Sequence, residues 1–242
     1  MNDTEWQYLC NLTNAYNISE NKGTAGTRRI YSLNLHHPII PPQEYVSQEY
    51  QDYVIDNIIF HQKQGGFFLD IGANDPCFIN NTFFFEKYRN WNGLAFEPLH
   101  SKNLKWTSRK TKCMQVALSN YNGTADFTEF DEDYMSGIAD KVEFDGAVKA
   151  RYPVEVRRLD QILQENDIHH VDYVSLDVEG AELEVLQGID FSSCEITSFT
   201  IELTEKQETF EVRKFMIEQG YEFVGRLYFD DLWVKKGFIT RN

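Results

Sequence analysis

Residues 67–98 read FFLDIGANDPCFINNTFFFEKYRNWNGLAFEP, and in that order they spell strand, turn, helix and strand. FFLDI (67–71) is a short apolar run bounded by glycines, the pattern of a strand buried on both faces. INNTFFFEKYRN (79–90) opens with capping residues and continues as a helix. GLAFE (93–97) returns to a strand. Such alternation with short connections requires a parallel sheet covered by helices.

The same rhythm extends along the chain. SKNLKWTSRK (101–110) reads as a helix and TKCMQVAL (111–118) as a third strand. After a break come RRLDQILQEN (157–166, helix), VDYVSLD (171–177, strand), AELEVLQG (181–188, helix) and ITSFTIEL (196–203, strand). EKQETFEVRKFMIEQG (205–220) is a helix ended by glycine, and YEFVGR and LWVKK flank a turn at YFDD. Upstream, YVSQEYQDYVIDNIIFHQ has apolar residues at helical intervals from Val46. The expectation is an α/β fold, a doubly wound, mostly parallel sheet of Rossmann-like type with a C-terminal antiparallel hairpin. Residues 1–46, ending in HHPIIPP, form an N-terminal arm whose prolines prevent a helix. Residues 47–242 form the domain. An insert at about 120–153 holds a hairpin, NGTADFTEF, and an acidic aromatic stretch that supplies a substrate wall from Tyr134, Met135 and Ser136.

Composition narrows the function. The 242 residues carry a net charge of −15, which opposes nucleic acid and anionic membranes and favours a small neutral or cationic ligand. The four cysteines are scattered, with no metal-binding spacing. No signal peptide opens the sequence, and no apolar stretch approaches the roughly 20 residues of a membrane span. The sequence therefore reads as a reduced cytoplasmic protein, and it leaves a homo-oligomer open.

Ligands of wound sheets bind outside the carboxyl ends of the strands. The first strand delivers Asp70, Gly72, Ala73, Asn74 and Asp75 there; the second, Glu97 and Pro98; the third, Ala117, Leu118 and Ser119. The fourth delivers Asp177 and Glu179, and the fifth Glu202. Four of the five inferred strands thus end in or beside a carboxylate. A dinucleotide needs G-x-G-x-x-G to approach its pyrophosphate, and here Asn74 and Cys77 occupy the later glycine positions. S-adenosylmethionine has no phosphate and carries two cationic groups, so the acids suit it better, with Glu97 accepting from both ribose hydroxyls.

Together F-L-D-I-G-A-N-D (68–75), N-T (81–82), W-N-G-L-A-F-E-P (91–98), V-A-L-S (116–119), R-L-D-Q-I-L (158–163) and V-S-L-D-V-E-G-A-E-L-E-V-L-Q-G (174–188) resemble the FkbM-type methyltransferases, as does S-Q-E-Y-Q-D (47–52). Pro76 stands where that pattern usually has glycine. The resemblance implies a class I methyltransferase fold, S-adenosylmethionine as donor and O-methylation, often of a sugar hydroxyl in a glycan or a nucleotide-activated sugar. An NAD-linked oxidoreductase on a similar sheet and a non-catalytic binding module of the same fold are the competing readings.

On this basis the donor contacts are Asp70, Gly72, Ala73, Asn74, Asp75, Glu97, Pro98, Ala117, Leu118, Ser119 and Gln48. Gln48 shares a helix face with Asp52. Asn74 and Asp75 either hold the methionine end or cap the following helix. Asp177 and Glu179 bracket the turn where a hydroxyl would lose its proton, unless Glu179 merely caps the helix at 181–188. Asp177 and Glu202 could share a divalent cation, or Glu202 could pair with a lysine. His36 and His37 lie on the proline-fixed arm, and His37 becomes a candidate base if that arm folds over the cleft. A glycan or other small-molecule acceptor is the expected partner.

Overall fold

Side-chain alternation on the central strands builds two apolar layers around one sheet. In the computed structural model, which describes Asn17–Glu20, Arg29–Ile30, 43–142, 144–204 and 206–238, thirteen strands form two sheets. They are β1 (Asn17–Glu20), β2 (Arg29–Ile30), β3 (Phe67–Ile71), β4 (Asn92–Phe96), β5 (Lys112–Met114), β6 (Ala117–Leu118), β7 (Gly123–Phe130), β8 (Gly137–Ile138), β9 (Val148–Arg157), β10 (His170–Leu176), β11 (Glu195–Glu202), β12 (Tyr221–Leu227) and β13 (Asp230–Lys235). The helices are α1 (Gln51–Val54, running into a π-turn at Ile55–Ile59), α2 (Phe83–Arg89), α3 (His100–Asn103), α4 (Leu159–Glu165), α5 (Glu182–Gln187) and α6 (Lys206–Glu218).

The larger sheet runs β2-β1-β12-β13-β11-β10-β3-β4-β5. Strands β5, β4, β3, β10 and β11 are parallel. The hairpin β12–β13 joins β11 antiparallel, as its sequence predicts, and β1 adds parallel to β12. The winding direction changes between β3 and β10, where a crevice for ligand opens beyond the carboxyl ends. Leu69, Ile71, Phe96, Val174, Leu176 and Phe199 point to one face and pack under α4, α5 and α6. Phe68, Tyr173 and Leu232 point to the other and meet Val54, Ile55, Phe84, Phe85 and Trp91. Each such fully buried side chain contributes about 1.5–3 kcal/mol over its exposed state.

Three predicted elements differ. The stretch 111–118 splits, because β5 pairs with β4 whereas β6 pairs with β9 in the second sheet, β6-β9-β7-β8. NGTADFTEF is one long strand, β7, laddered antiparallel to β9 across the acidic segment rather than a hairpin of its own. Asn122 explains why its turn signal misleads: its side chain accepts from the Arg158 amide and donates to Gln161. Finally, the helix expected from Val46 begins only at Gln51. The buried Asp52 carboxylate accepts the amides of Val46, Ser47 and Tyr53 and the Ser47 hydroxyl, bending residues 46–50 into a turn.

Candidate active site

The turns that leave the parallel strands continue the ladder for one more step, which brings the strand ends close. Gly72 and Ala73 both donate to Phe96 O, Glu97 donates to Met114 O and Asp177 donates to Ile71 O. At Gly72 the backbone is left-handed, with φ +76°, and a Cβ there would stand 1.6 Å from the Asp177 carbonyl oxygen. Only glycine lets the first and fourth turns touch this closely.

Beyond these turns lies a cleft of about 810 Å³, within the range of roughly 300–1,000 Å³ usual for small-molecule sites. Its lining includes Gln48, Asp70, Gly72, Ala73, Asn74 and Asp75 from the first turn and its neighbourhood, and Glu97, Pro98, Ala117 and Leu118 from the second and third. Asp177, Glu179 and Glu202 close the far side. Ser119 is not among them: the chain has entered the second sheet, its amide donates to Arg157 O, and the residue is buried beside a smaller depression. Asp52 is likewise withdrawn into the turn it organises. His37 lies outside the described residues.

Asp70 is held rather than exposed to ligand on all sides. Its Oδ2 accepts from Asn80 Nδ2 (2.9 Å) and Thr82 Oγ1 (2.7 Å), and Arg109 braces both partners from below. Burial raises its pKa, with Thr82, Arg109 and Asn80 pulling the other way. Asn80 also accepts the amides of Thr82 and Phe83, which starts α2. Asp75 does not cap that helix. It accepts the amides of Cys77 and Phe78 and pairs with Lys105 at 3.1 Å. Asn74, at φ +43°, leaves its Oδ1 buried without a partner, as does Asn81.

Glu97 ties two turns together. Oε2 accepts the Asn74 amide at 2.8 Å and Oε1 the Leu99 amide at 2.7 Å. Burial pushes its carboxyl up to about 7 even so, and Asp52 rises to about 6 for the same reason. A carboxyl that holds its proton more tightly when folded stabilises the fold below its ordinary value near 4, and that contribution is lost as pH climbs through 6 and 7. Carboxyls in which hydrogen bonds and cations outweigh burial, such as Asp75 and Asp172, act oppositely but only at lower pH. The thermal midpoint of the ligand-free protein is therefore expected to fall by ~4–8 °C from pH 5 to pH 8, on the order of 2 kcal/mol at ~2–4 °C per kcal/mol. Calorimetric scans showing a flat or rising midpoint over that interval contradict this balance.

On the far side Asp177, Glu179 and Glu202 each bring one oxygen within 4.8 Å of the others. Asp177 Oδ1 is buried and unpartnered. Burial, then the neighbouring Glu202 and Glu179, push the Asp177 pKa well above the carboxylate range. Glu202 faces Asp230 across the β11–β13 ladder, and Asp230 Oδ2 accepts from Gln51 Nε2. Glu179 does not cap α5. No side chain caps it; the Glu182 carboxylate instead accepts the amides of Val178 and Gly180 in the turn before α5 and holds Glu179 in a left-handed turn at φ +57°, an energetically costly conformation kept by its surroundings.

Several lining residues were not among the site residues that the sequence pointed to. Asn81 donates to Ser175 Oγ at 2.9 Å, and Ser175 sits beside Asp70 in register on adjacent strands. Lys102, buried, pairs with Asp133 at 2.9 Å and pins the insert to the second turn. Their sequence spacing says nothing of this, since tertiary pairing alone makes them neighbours.

A family model described as the methyltransferase FkbM domain matches residues 70–223. The methyltransferase sdnD of Sordaria araneosa is 31% identical over 160 residues, a match that spans 51% of this chain and 60% of that relative. Among solved structures, methyltransferase FkbM from Methylobacillus flagellatus KT aligns with 13% identity and a TM-score of 0.49, covering 78% of this chain and 48% of that one. The N-terminal domain of human METTL16 in complex with SAH aligns with 14% identity and a TM-score of 0.46, covering 89% and 77%.

Proposed function

Because the chain belongs to the FkbM methyltransferase family, we propose that it transfers a methyl group from S-adenosylmethionine to a hydroxyl of a sugar. The observation that carries this reading is the gathering of Gly72, Glu97 and the Asp177–Glu179–Glu202 triad around one cleft. The donor fits the residues present. Gly72 leaves room where any Cβ would collide, Glu97 keeps lone pairs for a ribose diol, and the orphaned Asn74 Oδ1 is an acceptor suited to an ammonium. Asp75 is committed to its own turn and Lys105, so the methionine end falls to Asn74. Ala117, Leu118 and Pro98 supply a wall for the adenine, and Gln48 closes the mouth. A pyrophosphate cofactor suits the site less well: among the described residues, seven carboxyl groups line the cleft beside two lysines.

When bound, S-adenosylmethionine supplies a methyl group on a positive sulfur, which departs as the neutral thioether with the bonding electron pair. The protein must then align the attacking hydroxyl, exclude water and accept its proton. Alignment can contribute roughly 7–11 kcal/mol. Asp177 takes the proton, its affinity for it raised by burial and by Glu202 and Glu179. The triad also has the oxygen donors a divalent cation takes, and a rate insensitive to EDTA would remove the cation from this reading.

Titration calorimetry tests the donor site. S-adenosylhomocysteine is expected to bind and NAD not to bind. Glu97→Ala should weaken S-adenosylhomocysteine ~10–100-fold, as expected for losing hydrogen bonds to a charged acceptor at about 1.5–3 kcal/mol, with Glu97→Gln intermediate. Affinity within twofold of wild type in Glu97→Ala would remove Glu97 from the donor site.

A further inference from the structure

At the mouth of the cleft the surface changes character. Phe78 is 72% exposed, Tyr134 61%, Ile79 47% and Phe229 38%, and all four line the same opening. They arrive from three separate segments: the loop after β3, the turn at Asp133–Met135 and the tip of the β12–β13 hairpin. Large apolar side chains left in water and gathered at one opening mark a binding surface, and flat rings offer apolar area at little cost in side-chain freedom.

Charge says what that surface does not take. The two lysines of the lining are both engaged by acids, Lys102 by Asp133 at 2.9 Å and Lys105 by Asp75 at 3.1 Å. Lys102 is buried, and its bond to Asp133 anchors the turn that carries Tyr134. A diphosphate entering here would meet Asp133, Asp177, Glu179 and Glu202, and among the described residues of the lining each lysine already has an acidic partner.

Resting on the sugar-methylation reading above, we propose that the acceptor is a phosphate-free carbohydrate, its C–H face packed on Phe78, Tyr134 and Phe229 and its hydroxyl edge turned to the acids. Nucleotide-activated sugars are excluded as substrates. Tyr134 and Phe229 then determine specificity and touch neither the donor nor the transferred methyl group.

The test is calorimetry on the full chain saturated with S-adenosylhomocysteine, titrated with a panel of phenyl hexopyranosides and separately with UDP-glucose. At least one phenyl glycoside is expected to bind and UDP-glucose not to bind. Tyr134→Ala and Phe229→Ala should each weaken the glycoside at least ~5-fold while leaving S-adenosylhomocysteine affinity within twofold. UDP-glucose binding as tightly as the best glycoside, above all if Lys105→Ala abolishes it, overturns the proposal. So does a panel without a single binder, or alanine variants that bind the glycoside like wild type. If S-adenosylhomocysteine itself fails to bind the wild-type chain, the donor reading falls, and the acceptor proposal with it. A normal donor titration with the wrong acceptor preference overturns the acceptor proposal alone.

Discussion

Asp177→Asn is expected to lower the rate of methyl transfer by ~10²–10⁴-fold, the usual worth of a positioned proton acceptor, while raising the thermal midpoint. The two effects have one origin. Asp177 is crowded by Glu179 and Glu202, carries an orphaned buried Oδ1, and has its pKa driven up by burial and by those two acids. An amide at that position removes the like-charge repulsion and offers a donor to Glu202, so folding improves where catalysis fails. Such opposition of stability and activity is characteristic of residues retained for chemistry. Measured side by side at pH 8, a stabilised variant with an intact rate would show that the acid cluster is not the proton acceptor. A variant that lost stability would show that the cluster is not strained.

Gly72→Ala is the second large effect. A Cβ at 1.6 Å from the Asp177 carbonyl cannot be relieved by a rotamer change, because the obstacle is backbone. The variant must also hold an L residue at φ +76°. Left-handed strain of about 1 kcal/mol and overpacking of about 1–3 kcal/mol together predict a loss of ~2–4 kcal/mol in urea denaturation. Separation of the β3 and β10 turns should in addition reduce S-adenosylhomocysteine affinity more than ~10-fold. Unchanged affinity would mean that the contact between the two turns is irrelevant to the donor site. A control at Gly65, also left-handed but with nothing within 4 Å of its Cβ, carries the conformational cost without the collision and should leave affinity intact.

The contrast between those two glycines captures how far linear reading reaches. Sequence pattern determined the wound sheet, since periodicity and turn residues are local and the apolar runs at 67–71, 93–96, 171–176 and 196–201 had no other use. The acids that follow those runs were legible for the same reason: a strand end has a direction, and its next residues project beyond the rim. What pattern could not assign was the partner of each group. Whether TKCMQVAL belongs to one sheet or two, whether Glu179 caps α5 or Glu182 ties down the turn before it, and whether Asp52 faces the cleft or its own turn depend on atoms far apart in the chain or on competition among nearby acceptors. The engagement of Lys102 and Lys105, and the meeting of Phe78, Tyr134 and Phe229 at one mouth, were decided only by tertiary structure. Hydrophobic periodicity records which face of an element is buried, whereas electrostatic pairing and cleft shape arise from positions in space that no spacing along the chain encodes.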